Sequence, residues 1–328
     1  MDPIDRVRAA LALQRPDRPP AAWWGHTYRQ EWSAVELAEV TAARQRSYGW
    51  DFVKLQPRAC CFAQAWGAEY LPHPRFEQAP VQLHRVVSSP EGWSSVRPID
   101  PGAPALQEQV EALRLVVREL GPAIPVIQTI FSPLTVAGYL RGEDKPLAAR
   151  ELREHPDAVT PALAGIAGTL ATFAARSLEA GAAGIFFAIS GYASTDLLGP
   201  EEYRALALPH DRRVLEAAGG AWFNVLHLCG PRLHFPVASA LATAAVNWSV
   251  HEPGNPSLAE GRTLMGRAVM GGVDHDGTML EGSAREVADQ VRAAVEGTGG
   301  TGVLVAPGCS VPPVAPEANL RAVTAPPA

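Results

Sequence analysis

The chain has 328 residues, 47% hydrophobic and 19% charged, with a formal net charge of −6. Those proportions support one large core or two modest ones, and the acidic balance leaves no basic field to gather nucleic acid or an anionic membrane. Four cysteines (Cys60, Cys61, Cys229, Cys309) are too few for a disulfide scaffold, and no uninterrupted apolar run approaches the roughly 18 residues that span a bilayer.

The N-terminus, with Asp2 and Asp5 before a break at Pro16, reads as an opening helix and not as a secretory signal. A soluble cytoplasmic protein is expected, with no nucleic-acid or membrane partner. Eight short apolar runs follow, at residues 20–25, 51–57, 124–130, 183–190, 222–229, 244–250, 268–274 and 302–309. Their near-continuous apolarity suits strands covered on both faces, as parallel strands are. Helical spacing of apolar residues separates most of them, at 35–46, 105–120, 158–180, 201–218 and 284–295. Pro200 with Glu201 and Glu202 opens one of these helices, and Gly219-Gly220 ends it. Eight strands with intervening helices predict an α/β fold, a (β/α)8 TIM barrel. A doubly wound sheet is the competitor, but no glycine-rich loop follows the first run. Segments 81–87 and 92–96 flank Ser-Ser-Pro-Glu-Gly and predict a β-hairpin inserted between the second and third strands. A single domain over 1–324 is expected, with a disordered tail at 325–328. Only two lysines occur, Lys54 and Lys145, which reads as a compositional bias with little functional content.

In such a barrel the active site lies at the carboxyl ends of the strands. Those ends supply His26, Gln56, Arg58, Gln128, Ser190, His227, Cys229, Asn247, Asp274 and Cys309. Alternate residues of a strand share a face, so His227 and Cys229 point one way while Leu226 and Leu228 point the other. Imidazole nitrogen and thiolate sulfur are both good zinc donors, and Cys309 ends the last strand at the same mouth. Three protein ligands leave a fourth position open, the arrangement of a catalytic zinc site. The competing reading is a buried histidine with two inert core cysteines.

At these residues the sequence resembles the uroporphyrinogen decarboxylase superfamily, and within it the zinc-dependent methylcobalamin:thiol (coenzyme M-type) methyltransferases. The likeness runs from Arg6-Val7-Arg8-Ala9-Ala10-Leu11 and Pro16-Asp17-Arg18-Pro19-Pro20 through Ser132-Pro133-Leu134-Thr135 and Leu198-Gly199-Pro200-Glu201-Glu202-Tyr203. It ends in Gly271-Gly272-Val273-Asp274 and Ala306-Pro307-Gly308-Cys309. The group's His-x-Cys with a distant Cys falls on His227, Cys229 and Cys309. The resemblance implies bound zinc, activation of a small thiol or other sulfur-containing substrate, and a methyl group exchanged with a corrinoid carried by a partner protein. No D-x-H-x-x-G cobalamin-ligating motif is present, since Asp274-His275-Asp276-Gly277 lacks the spacing.

Two departures stand out. The decarboxylases' arginine-rich first segment is here Trp23-Trp24-Gly25-His26-Thr27-Tyr28-Arg29-Gln30, and Gln56 and Arg58 stand where an acid follows the second strand. Porphyrinogen decarboxylation is therefore not expected. Asn247 stands where a carboxylate can complete the methyltransferases' zinc shell. The remaining expectations assign catalytic roles to His26 and Asp274 and substrate contacts to Tyr28, Arg29, Gln56, Arg58, Gln128 and Asn247. A rim loop competes for His26, Tyr28 and Arg29, and helix capping competes for Asp274. Zinc-dependent carbon–sulfur cleavage and a non-catalytic binding barrel are the alternative functions.

Overall fold

The computed structural model describes residues 1–100 and 102–325. Expected strand character holds at seven of the eight runs. Strand β1 (Val53–Leu55) is followed by a small antiparallel pair, β2 (Glu69–Leu71) and β3 (Val81–His84). Six further strands are β4 (Val126–Phe131), β5 (Gly184–Ser190), β6 (Val225–Cys229), β7 (Ala245–Asn247), β8 (Ala268–Val273) and β9 (Val303–Pro307). All but the antiparallel pair form one parallel sheet in the order β1-β4-β5-β6-β7-β8-β9.

The eighth run closes the sheet without becoming a full strand. Ala21 makes a single parallel bridge to Val305, with Ala22 N–H donating to Val305 O and Val305 N–H to Pro20 O. On its other edge, Asp51 N–H donates to Ala21 O. Pro19 and Pro20 lack the N–H groups a continuous ladder needs, which accounts for the short contact. A buried carboxylate holds this seam instead. Asp51 accepts from Arg6 Nη1 and Arg18 Nη1, each at 2.6 Å, and from Ala21 N–H at 2.8 Å. The opening helix Pro3–Leu11 is thereby tied to the closure of the barrel.

Helices cover the outer face. The longest, Pro156–Glu179, has the length and apolarity of a membrane span, yet it buries Leu163, Ile166, Leu170 and Phe173 and packs on Leu208–Ala217. The helix expected at 201–218 is two, Pro200–Leu206 and Leu208–Ala217, broken where Pro209 cannot continue the hydrogen-bond ladder. The inserted pair also differs from expectation. Val81–His84 is a strand, but its partner is Glu69–Leu71, while Pro90–Ser95 forms a 3-10 helix that buries Trp93. Of the expected tail, Ala325 caps the last helix, Glu317–Thr324, and 326–328 lie outside the described residues.

Candidate metal centre

Register decides which side chains meet inside the barrel. His227 on β6 pairs with Ala188 on β5 and Asn247 on β7, and in-register neighbours in a parallel sheet share a face. Phe186, two residues before Ala188, stacks on the His227 ring at 5.2 Å between centroids. The inward set therefore includes Phe186, Val225, His227, Cys229 and Asn247. Gly230, at φ +107, turns the chain out of β6 directly after Cys229. A Cβ on Gly308 would lie 2.5 Å from Ser249, so only glycine lets the segment after β9 bring Cys309 this close to β7.

Cys309 Sγ lies 3.8 Å from Cys229 Sγ and 3.7 Å from His227 Nε2, and the three donor atoms all fall within 4.8 Å of one another. A tetrahedral ion with sulfur at about 2.3 Å and nitrogen at about 2.0 Å spaces its donors by roughly 3.5–3.8 Å. The residues present thus fit zinc. His227 is 4% exposed, whereas Cys229 and Cys309 are half-buried, so the sulfurs form the open side. As free thiols, the two sulfurs act as a pair. A hydrogen bond from Cys229 holds the Cys309 thiol well below the ordinary thiol range against burial, with His227 assisting, and Cys229 is correspondingly raised.

Asn247 fixes the orientation of this set. Its Nδ2 donates to Met270 O at 3.0 Å and Pro307 O at 3.2 Å, which leaves Oδ1 to accept from His227 Nδ1–H at 2.6 Å. The Nδ1 proton is thereby assigned, and the Nε2 lone pair faces the sulfurs. Asn247 is fully buried, so it positions His227 and is neither a substrate contact nor a candidate fourth ligand.

The opposite wall carries a polar chain. His26 Nδ1–H donates to Glu31 at 2.9 Å, and Gln56 Nε2 donates to His26 Nε2 at 2.9 Å. Gln56 Oε1 accepts from Lys54 Nζ. Tyr28 stacks on His26 at 4.5 Å, and its hydroxyl is pushed up to about 12 by burial and by the charge of Glu31. His26, Tyr28 and Gln56 thus form a half-buried group on the β1 side of the barrel. Lys54 was not among the expected site residues. An interior charge on a strand of valine and leucine is its one sequence signal.

Four expected site residues lie elsewhere. Arg29 is exposed and bonds Pro74 O, tying down the inserted segment. Arg58 is buried, bonded to Glu108, Gln64 and Glu31 O, and lies over the Trp32 ring, so it is a structural cation. Gln128 sits in mid-strand beside Thr129, which is in register with Phe186; Gln128 therefore faces the helix layer. Asp274 accepts from the N–H groups of Thr278 and Gly277 in the first turn of the helix Gly277–Glu281, whose N-cap is Asp276. Although burial pushes its carboxyl upward, those N–H groups and His251 hold it lowered.

Comparison with known proteins identifies the family. A methylcobamide:CoM methyltransferase MtaA of Methanosarcina barkeri is 27% identical over 335 residues, covering 98% of this chain and 93% of that protein. A uroporphyrinogen decarboxylase of Gloeobacter violaceus is 27% identical over 245 residues, spanning 70% of this chain and 66% of that protein. Among solved structures, a methyltransferase from Methanosarcina mazei superposes with a TM-score of 0.85 at 20% identity over 98% of this chain and 97% of its own. The family model of uroporphyrinogen decarboxylase matches residues 2–325. The parallel barrel and a match over nearly its whole length lead to one conclusion: the chain belongs to the uroporphyrinogen decarboxylase family.

Proposed function

We propose that this protein is a zinc-dependent methyltransferase that activates a small thiol for methyl transfer from, or to, a corrinoid carried by a partner protein. The observation that carries the reading is the three-donor set, with two sulfurs on its open side and an imidazole whose tautomer Asn247 fixes. His227, Cys229 and Cys309 would hold the ion. Bound there, zinc would keep a substrate thiol ionised at neutral pH, where a free thiol of pKa about 8.5 is mostly protonated. The chain's own residues hold and orient. Phe186 packs against His227 on one side and lies under Lys54 Nζ on the other, which links the Lys54, Gln56 and His26 chain to the three-donor set.

Full-length relatives named as methylcobamide:CoM methyltransferases support this choice over porphyrinogen decarboxylation. The first segment carries one arginine, Arg29, which reaches outward to Pro74 O, and the buried Arg58 is paired with Glu108, so no cluster of arginines stands ready to grip acidic porphyrin side chains.

The test is alkylation of 2-mercaptoethanol by free methylcobalamin, followed by the corrinoid absorbance change. Activity is expected from protein carrying about one zinc per chain, to vanish with a chelator and to return with added zinc. Undiminished activity in metal-free protein overturns the proposal.

A further inference from the structure

The four cysteines divide into two unlike pairs. Cys60 and Cys61 are 3% and 0% exposed at the start of the short helix Cys61–Ala65, where the Cys60 thiol donates to Gln64 Oε1. Cys229 and Cys309 are half-buried, at the end of β6 and just past β9, and 80 residues of sequence separate them. Their sulfurs nevertheless lie 3.8 Å apart. A disulfide needs about 2.05 Å between sulfurs, so each would travel only about 0.9 Å to form one. The present spacing equally suits an ion, because tetrahedral donors around zinc stand roughly 3.5–3.8 Å apart. A metal and a disulfide therefore compete for the same two sulfurs. One holds them apart and the other draws them together.

We infer that Cys229 and Cys309 form a reversible disulfide, a redox switch that turns the centre from metal-binding to metal-excluding. The switch rests on the three-donor set and is independent of the methyl-transfer reaction. The oxidant is a hydroperoxide. One sulfur attacks a peroxide oxygen, the O–O bond breaks, and the thiol proton goes to the leaving oxygen; with hydrogen peroxide the products are a sulfenic acid and water. The second sulfur then attacks the first, and the displaced hydroxide takes that thiol's proton and leaves as a second water. Two thiols lose two electrons and the peroxide gains them. Of the donor set His227 alone remains, short of the three protein ligands such a site needs. A small thiol resets the switch. It attacks one sulfur of the bond, and a second thiol resolves the mixed disulfide, so both cysteines are reduced and the two small thiols leave joined.

The experiment exposes the full chain, metal-free and zinc-loaded, to hydrogen peroxide. It follows intact mass, thiols titrated after unfolding, and zinc released to a chromogenic chelator. Metal-free protein is expected to lose about 2 Da, the two hydrogens of the joined thiols, and to fall from four titratable thiols to two. A peptide map is expected to show one linked pair, containing Cys229 and Cys309. Zinc-loaded protein is expected to react at least tenfold more slowly and to release its ion as the thiols disappear. Oxidised protein is expected to take up no zinc until 2-mercaptoethanol restores all four thiols. Cys309→Ser is expected to show no loss of mass. Unreacted thiols, sulfinic acid without a linked pair, a link to Cys60 or Cys61, equal rates with and without zinc, or zinc uptake by the oxidised protein overturn the inference. If the reduced protein takes up no zinc, the metal reading above fails, and the peptide map alone decides the bond: a linked pair sustains it and separate peptides end it.

Discussion

At the scale of single residues, Asn247 explains itself once its neighbours are known. Two carbonyl oxygens, of Met270 and Pro307, point at one end of its side chain and an imidazole N–H at the other. A carboxylate would set one oxygen against both carbonyls; only an amide presents a donor there and an acceptor to His227. Sequence spacing found His227 and Cys229 because a period of two is a property of any strand. It could not find the direction of Asn247, because that follows from register with β6 and β8 and from the path of the chain after β9. Asn247→Ala removes the acceptor that holds the Nδ1 proton. Zinc affinity, read by competition with a chromogenic chelator, is expected to fall about 10–100-fold while the fold persists. Unchanged affinity would mean that the tautomer is set by something else.

Elements show a similar division between what is local and what is not. The buried strands were legible because continuous apolarity is required wherever helices cover a parallel sheet. The partner of Val81–His84 was not legible, because that pair is half in solvent and Glu69–Leu71 has an exposed-buried-exposed pattern too short to signal a strand. Two of the three helices between β4 and β5, Pro133–Leu140 and Lys145–Glu154, were likewise unmarked as separate elements. What fastens them is polar and long-range. Glu151 accepts from Arg141 Nη2 at 3.0 Å and from Trp93 Nε1 at 2.8 Å, and Arg141 Nη1 reaches Val87 O at 3.3 Å. One buried ion pair thus joins both helices to the inserted segment. Arg141→Met leaves Glu151 buried without its counter-charge, and a loss of about 3–5 kcal/mol is expected from urea denaturation. The double variant Arg141→Met/Glu151→Leu is expected to recover a large part of that loss, since no lone charge then remains in the core. If the single variant is as stable as wild type, the pair does not hold these elements together.

For the molecule as a whole, stability against pH depends on a carboxyl far from the candidate metal centre. Asp211 lies in Leu208–Ala217, fully buried, and accepts from the Tyr203 hydroxyl at 2.5 Å across the break between the two helices. Burial pushes it up to about 8, against the pull of that hydroxyl. An unfolded aspartate titrates near 3.9, so between these values the group is protonated when folded and ionised when unfolded. Folding then takes up a proton. The stability this group contributes is full below about pH 4 and is lost progressively as pH rises toward 8. Asp211→Asn keeps an acceptor for Tyr203 and cannot ionise, so it escapes that loss. Denaturation of both proteins at pH 4, 6 and 8 is expected to show the variant gaining on wild type with each step, by ~2–4 kcal/mol in all. Neither protein's candidate site is altered, so zinc content is expected to stay equal between them at each pH. Parallel stability curves for the two proteins would mean that Asp211 is already ionised inside the fold and that the Tyr203 hydroxyl offsets its burial.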